Sequence, residues 1–326
     1  MSQDSPFHAG ERALQERAGV RDRVERGGRQ MIRDFMPDQH REFFAKLPFV
    51  IVGSLDAQHR PWASILVGRL GFMTSPDPQT LRINAPAGYG DPLGANLAVG
   101  APVGLLGIEL ATRRRNRMNG RIVEHDAGGF AVRVGQSFGN CPQYIQARMP
   151  VFMVEPETVA APRPVRAEGA MLSAAAHALV RNADTFFIAT AASRDGSPVE
   201  EVDVSHRGGK PGFVRVSGEA GRTVLTSPDF LGNFHFATLG NIALNPRAGL
   251  LFIDFASGDL LSLTGEGEVV WDGPEVAAFA GAQRLLRFRV TEGVFIPNAV
   301  PMRWSHPEFA KQLARTGSWE DAEHAT

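Results

Sequence analysis

Gly104-Leu105-Leu106-Gly107-Ile108-Glu109-Leu110-Ala111-Thr112 returns 145 residues later as Gly249-Leu250-Leu251-Phe252-Ile253-Asp254-Phe255-Ala256-Ser257. At the same offset Asn96-Leu97-Ala98 falls on Asn241-Ile242-Ala243 and Gly120 on Gly265, with no gap. Looser similarity extends upstream: Leu47-Pro48-Phe49-Val50-Ile51-Val52-Gly53 matches Ala183-Asp184-Thr185-Phe186-Phe187-Ile188-Ala189. Each is followed by an Asp-containing turn and a proline, Pro61 or Pro198. Solenoid units run about 20–50 residues, so this long period indicates two duplicated domains.

Each copy reads as β-rich. Segments 186–190, 199–204, 212–216, 249–255 and 260–265 have strand length and β-branched or aromatic content, with turn residues between them. The run 249–255 is apolar on both faces except Asp254, which predicts a central strand. Several short antiparallel strands in each copy predict a small closed or split barrel. Helical composition covers 11–35, then 38–47 with Asp38 as N-cap, and 168–182 with Leu172, Ala176 and Leu179 at helical spacing. Pro156, Pro162 and Pro164 mark a linker. The expected organisation is an N-terminal helical extension (1–40), a first barrel (41–154), the linker (155–167), a second barrel (168–305) and a C-terminal tail (306–326).

With 326 residues and 43% hydrophobic content, the chain can bury a large core. Charges nearly cancel, 34 Lys+Arg against 35 Asp+Glu, which argues against nucleic-acid or membrane-surface partners. The single cysteine, Cys141, excludes an intrachain disulfide framework. No apolar run approaches the roughly 20 residues of a membrane span, and the first 28 residues lack a signal-peptide core. A cytoplasmic protein is expected.

The chemistry concentrates in Val204-Ser205-His206-Arg207-Gly208-Gly209-Lys210-Pro211-Gly212-Phe213-Val214-Arg215-Val216, read as a strand end, a cationic Gly-rich turn and a returning strand. Ser205, His206, Arg207 and Lys210 offer donors, and the glycines permit close approach to the backbone. A dianionic phosphate needs this combination; a solvated hairpin turn needs only part of it. The first copy reads Val67-Gly68-Arg69-Leu70-Gly71-Phe72-Met73 here, with one cation. The asymmetry predicts that the second copy holds a phosphate while the first supplies a wall.

With strand, turn, strand, Asn-bearing helix and strand in order, segment 186–270 resembles the pyridoxamine 5′-phosphate oxidase-like flavoproteins. Thr238-Leu239-Gly240-Asn241-Ile242-Ala243-Leu244-Asn245-Pro246-Arg247 carries the helix. In the first copy, Ser137-Phe138-Gly139-Asn140-Cys141-Pro142-Gln143-Tyr144-Ile145-Gln146 is similar to a segment of two-repeat FMN-binding relatives. The resemblance implies a mainly β fold with flanking helices: two tandem split β-barrels with FMN at a barrel–barrel interface, within one chain or across a homodimer. It implies phosphate contacts from Ser205, His206, Arg207 and Lys210, and ring contacts from Phe213, Val214 and Arg215. Asn233, Thr238 and Asn241 would add donors, and Arg303 and Trp304 would approach from the tail. The true oxidase has an Arg-Lys pair where this chain has Ala237-Thr238, so vitamin B6 oxidation is not assigned.

Other features read as structural. Arg113-Arg114-Arg115-Asn116-Arg117 aligns with a second-copy hairpin and reads as a solvated turn; a site for an anionic substrate or nicotinamide-cofactor phosphate is the rival reading. Cys141 has no assigned role, and no histidine shows metal-ligand spacing. The leading expectation is an FMN-dependent oxidoreductase acting by hydride transfer at flavin N5, with a small molecule, NADH or NADPH as the other reactant. The alternatives are a flavin-binding or flavin-storage module, a partner of a separate reductase, and a haem-binding split barrel.

Overall fold

A computed structural model describes residues 5–192 and 202–324. The turn expected at 194–195, Pro198 and the start of the strand expected at 199–204 lie outside the described residues. The N-terminal helical stretch is two helices, α1 (Ala9–Arg17) and α2 (Arg21–Met31), broken at Gly19, which turns at φ +67°. Helix α3 (Asp38–Ala45) follows; Pro37 holds the N-cap position expected for Asp38.

The first sheet contains β1 (Phe49–Leu55), β2 (Pro61–Val67), β3 (Met73–Asp77), β4 (Thr80–Ile83), β5 (Pro102–Glu109), β6 (Arg114–Asp126) and β7 (Gly129–Gly139), with the short α4 (Leu93–Asn96) before β5. Its order is β2-β1-β5-β6-β7-β4-β3. After β8 (Pro150–Phe152), β9 (Arg166–Glu168) and α5 (Ala174–Asn182) comes the second set: β10 (Thr185–Ala191), β11 (Val202–Gly208), β12 (Arg215–Glu219), β13 (Arg222–Phe230), α6 (Ala237–Leu244), β14 (Arg247–Ile253), β15 (Leu260–Val270), α7 (Pro274–Ala278) and β16 (Ala282–Ile296). Their order, β11-β10-β14-β15-β16-β13-β12, is the first order repeated strand for strand. The helix expected at 168–182 is therefore confined to α5, because 166–168 pairs with β16 as an extra strand. A ribbon of β8 and β17 (Met302–Trp304), then α8 (Trp319–His324), completes the chain.

The duplication persists at the level of single bonds. The Asn96 amide donates to Ser54 Oγ at 3.0 Å, and Asn241 donates to Thr190 Oγ1 at 3.0 Å. Gly120 and Gly265 each sit at a register shift between the long strands. A Cβ on either would meet a carbonyl oxygen across the ladder at 2.1 Å, so the bulge requires glycine.

Each repeat has its own core, one around Phe44, Phe130 and Leu105, the other around Phe186, Phe252 and Phe288. A third apolar cluster joins them, with Ile51, Ile65 and Leu106 of the first repeat packed with Phe187, Val204 and Leu251 of the second. Gly104 and Gly249 permit this approach: a Cβ would meet Val202 O at 2.5 Å and Pro61 O at 2.3 Å, respectively. The barrel–barrel interface is thus within one chain.

Two sequence expectations are corrected. Strands β11 and β12 do not form a hairpin across the cationic turn; they stand at opposite ends of the sheet order. The arginine run is not a solvated turn either. Only Arg113 turns, in the left-handed region, and Arg114 to Arg117 enter β6, where alternate side chains share a face. A chain run of like charges gives no hint of which members a strand will bury.

Candidate functional site

Strand β11 is an edge strand of the second sheet, and its last residues face β6 of the first repeat. Between them lies a cavity of about 130 Å³, lined from the first repeat by Arg115, Arg117 and Tyr144 and from the second by Ser205, Arg207 and Arg284, among others. Four arginines line it, with Asp203 beneath and Asp229 on the wall. Arg117 Nη1 pairs with Asp203 Oδ1 at 2.6 Å, and Arg117 Nη2 donates to Ser205 Oγ. The Ser205 and Thr238 hydroxyls are 2.7 Å apart. Arg207 and Arg284 share Asp229. Arg115 bonds only carbonyls, Cys141 O at 2.8 Å and His206 O at 3.4 Å. Burial, with Arg117 and Arg207 nearby, lowers its pKa to about 9, so it stays cationic at neutral pH. Four guanidiniums against two carboxylates leave an excess of positive charge in a desolvated place, which an anion would neutralise.

Several cavity-wall donors and acceptors have no partner among the described residues: Arg117 Nε, Asn140 Nδ2, His206 Nε2, His235 Nδ1 and Arg284 Nη1. Buried polar atoms are normally paired, so their gathering here marks a surface shaped for a polar ligand. Burial, then Arg115 and Arg207, hold His206 well below the ordinary histidine pKa, which keeps the ring neutral. Tyr144, Phe234 and Phe236 all adopt positive φ, 60–63°, and all line the cavity. Left-handed backbone at bulky residues costs roughly 1–3 kcal/mol each and gathers at functional sites.

Of the twelve site residues expected from sequence, five meet here: Ser205, His206, Arg207, Asn233 and Thr238. The others are elsewhere. Lys210 donates to Thr316 O at 2.6 Å. Phe213 and Val214 are in the second core, and Phe213 O accepts from Trp319 Nε1 at 2.8 Å. Arg215 pairs with Glu275 at 2.6 Å and lies 4.2 Å over the Trp319 ring. These three residues, Lys210, Phe213 and Arg215, hold down the C-terminal tail. Asn241, fully buried, locks Thr190. Arg303 bonds Val300 O, Met302 O and Asn298, and Trp304 packs on Phe49 and Phe255. The sequence reading preferred a solvated turn for the run that holds Arg115 and Arg117, with an anion site as the rival, and it missed Asp229, His235 and Arg284, which lie in segments with no motif.

The duplication supplies an internal comparison. The counterpart of the cavity is a void of only about 10 Å³, where Ile65, Leu260, Ile296 and Val300 meet. By register, Ile65 stands for His206, Leu66 for Arg207 and Leu260 for Arg115. Ser64 corresponds to Ser205, and here its hydroxyl donates to Asp91 Oδ1 at 2.5 Å, while Leu93 N donates to the same oxygen at 2.8 Å. Leu93 is the counterpart of Thr238. A built-in carboxylate therefore occupies, in the first repeat, the oxygen-binding frame that Ser205 and Thr238 present to the open cavity in the second.

The sequence profile described as pyridoxamine 5′-phosphate oxidase matches residues 36–160, the first repeat. The chain has the pyridoxamine 5′-phosphate oxidase-like split-barrel fold. The repeated strand order extends that fold to residues 185–296, which contain the stretch 186–270 that carries the more specific resemblance in the sequence. Among solved structures, HupZ of Group A Streptococcus is similar at 14% identity, covering 39% of this chain and 94% of that one, with a TM-score of 0.29. A FAD-binding protein from Mesorhizobium loti is similar at 13% identity, over 40% and 97%, with a TM-score of 0.26. A Clostridium acetobutylicum protein related to general stress protein 26 of B. subtilis, of the pyridoxinephosphate oxidase family, is 12% identical over 40% and 91%, with a TM-score of 0.26. No curated protein matches the sequence. No described helix is long and apolar enough to cross a membrane.

Proposed function

We propose that this protein is an FMN-dependent oxidoreductase that binds one flavin per chain between its two barrels. The observation carrying this reading is the paired frame: Ser64 and the Leu93 amide hold an internal carboxylate, while Ser205 and Thr238 face a cavity lined by Arg115, Arg117, Arg207 and Arg284. Phosphate is the flavin group that such a frame suits, because guanidinium forks and hydroxyls match its geometry. The enclosed volume is below the roughly 300–1,000 Å³ of ordinary ligand pockets. It suits the phosphate-bearing end, and Tyr144, Phe230 and Phe234 are the aromatic side chains of the lining that would flank a ring. Tyr144 and Phe230 already stack at 5.0 Å. A bound flavin supplies hydride transfer at N5, with a small molecule, NADH or NADPH as the other reactant. Arg115, Arg117, Arg207 and Arg284 would hold and neutralise the phosphate, and neutral His206 would orient it.

Titration with FMN, followed by flavin fluorescence and visible absorbance, tests the reading. Uptake at micromolar concentration or tighter, with one flavin per chain, is expected. Arg207→Ala is expected to weaken it about 10–100-fold, the loss of one charge-assisted contact of about 1.5–3 kcal/mol. Absence of uptake by the wild type refutes the proposal. Stopped-flow reduction by NADH and NADPH then separates an enzyme from a storage module.

A further inference from the structure

Beyond the mouth of the cavity runs a groove of about 510 Å³ that shares Arg115, Asn140, Cys141 and Asn233 with it. Its outer wall carries Arg33, Arg113 and Arg114, and among the described residues no Asp or Glu lines it. Arg113 pairs with Glu308 from outside the groove at 2.9 Å. The Arg33 side chain bonds only Met31 O, and Arg114 rests 5.0 Å over the Phe43 ring. On the groove wall, buried Asn116 (8% exposed) keeps its Nδ2 without a partner, as does Asn140. Burial first, then Arg33 and Arg114, lower the pKa of His40, so that ring adds a neutral, polar surface.

Surface arginines usually stand beside carboxylates; Arg33, Arg114 and Arg115 share one concavity without such a partner among the described residues, and together with two idle amide donors they form a surface that selects negative charge. We infer that this groove binds a small organic molecule carrying at least two negative charges, phosphate or carboxylate, and presents it to the neighbouring cavity. That the molecule is the flavin's reaction partner rests on the flavin reading above; that it binds in the groove does not. Arg33 and Arg114 supply the outer charges, and Asn116 and Asn140 the inner donors. In the second repeat Gly258 stands for Arg113 and Leu260 for Arg115, and the groove beside that strand, about 590 Å³, is lined by the carboxylates of Asp184, Asp254 and Asp259.

Isothermal titration of the full chain, with and without saturating FMN, tests this using pyrophosphate and citrate as probes. At least one probe is expected to bind in both conditions. Binding should weaken tenfold or more in the Arg33→Ala/Arg114→Ala variant, with FMN affinity unchanged. Pyrophosphate alone binding assigns phosphate esters; citrate alone assigns polycarboxylates. No binding of either probe, equal binding by the variant, or loss of binding when FMN is present each overturns the inference, the last because the anion then occupies the cavity. Should the double variant misfold, Arg33→Ala alone, whose side chain touches only a surface carbonyl, carries the same test. If FMN fails to bind but the probes and the variant behave as expected, the flavin reading falls and the groove stands.

Discussion

The two clefts between the barrels descend from one arrangement and have opposite contents. In one, Arg117 reaches across to Asp203 and Ser205. In the other, Ser262 holds the register position of Arg117 and donates only to Ala63 O, with Trp62 standing where Asp203 is. Ile65 and Leu260 complete an apolar seal over a void that barely admits a water. The backbone is shared, so the fold did not require the arginines. A buried ion pair with several idle donors stabilises a fold less well than packed hydrocarbon, and the sealed cleft shows that hydrocarbon fits. On the proposed function, the charged cleft is retained for what it binds.

The largest expected break in this comparison is Arg117→Ala. Asp203 is fully buried, and removing its partner strands a carboxylate, at a cost of about 3–5 kcal/mol. Ser262→Ala at the matching position loses one hydrogen bond, worth about 1 kcal/mol. Urea denaturation of both variants checks the difference. Equal losses would mean that the two clefts do the same structural work, and the contrast drawn here would fail.

Asp91→Asn sharpens the comparison from the other side. Burial lifts the Asp91 carboxyl to about pH 6, even though Ser64 and the Leu93 amide oppose the shift. A carboxyl raised above its unfolded value keeps its proton longer in the folded state. Stability is then full below about pH 4 and declines as pH rises through 6. An amide accepts the same two bonds without the charge. Asp91→Asn is expected to be about 2–3 kcal/mol more stable than wild type at pH 8, with the gap closing near pH 4. A variant less stable at pH 8 would show that the carboxylate charge is needed in that frame.

How much of this was legible in the sequence follows from which signals survive in one dimension. The repeat was, because Gly104/Gly249, Gly120/Gly265 and Asn96/Asn241 each satisfy a local geometric demand that both copies share. The heart of the site was partly so: Ser205, His206 and Arg207 are consecutive in an edge strand, and Thr238 begins a helix. Lys210, Phe213 and Arg215 lie in the same motif but serve the tail, since Thr316 and Trp319 are about a hundred residues away. Nothing local distinguishes a cation that meets a ligand from one that meets a distant carbonyl. Arg115 and Arg117 were hidden by the opposite problem. Their charge was plain, but their burial depends on β11 of the other repeat.

The smallest expected effect is also confined to the open cleft. His235 lines the cavity, edge-on to Phe7 at 5.5 Å and near Phe138 at 6.0 Å. Its backbone carbonyl accepts from Gln15 Nε2 of α1 at 3.1 Å. Burial, then Arg117, lower its pKa to about 4, and its counterpart in the sealed cleft is Gly90, which cannot titrate. A histidine depressed below its unfolded value of 6.5 contributes stability that is complete above that pH and is lost as pH falls toward 4, because the unfolded chain takes up the proton first. His8, with a pKa of about 4, acts in the same direction, so His235 accounts for only part of the slope. His235→Asn is expected to lower stability at pH 7.5 through lost packing, yet to reduce the further loss between pH 7.5 and 5 by about 2 kcal/mol. The slope separates charge from packing, since packing does not change with pH. An unchanged slope would mean that His235 protonates freely in the folded protein, and the cavity would then be wetter and less cationic than its four arginines require. An anion bound beside His235 should pull its pKa back up, so saturating FMN is expected to flatten the wild-type slope more than the variant's, which keeps only the contribution of His206. That coupling ties the pH dependence of the fold to the occupancy of one cleft and not the other.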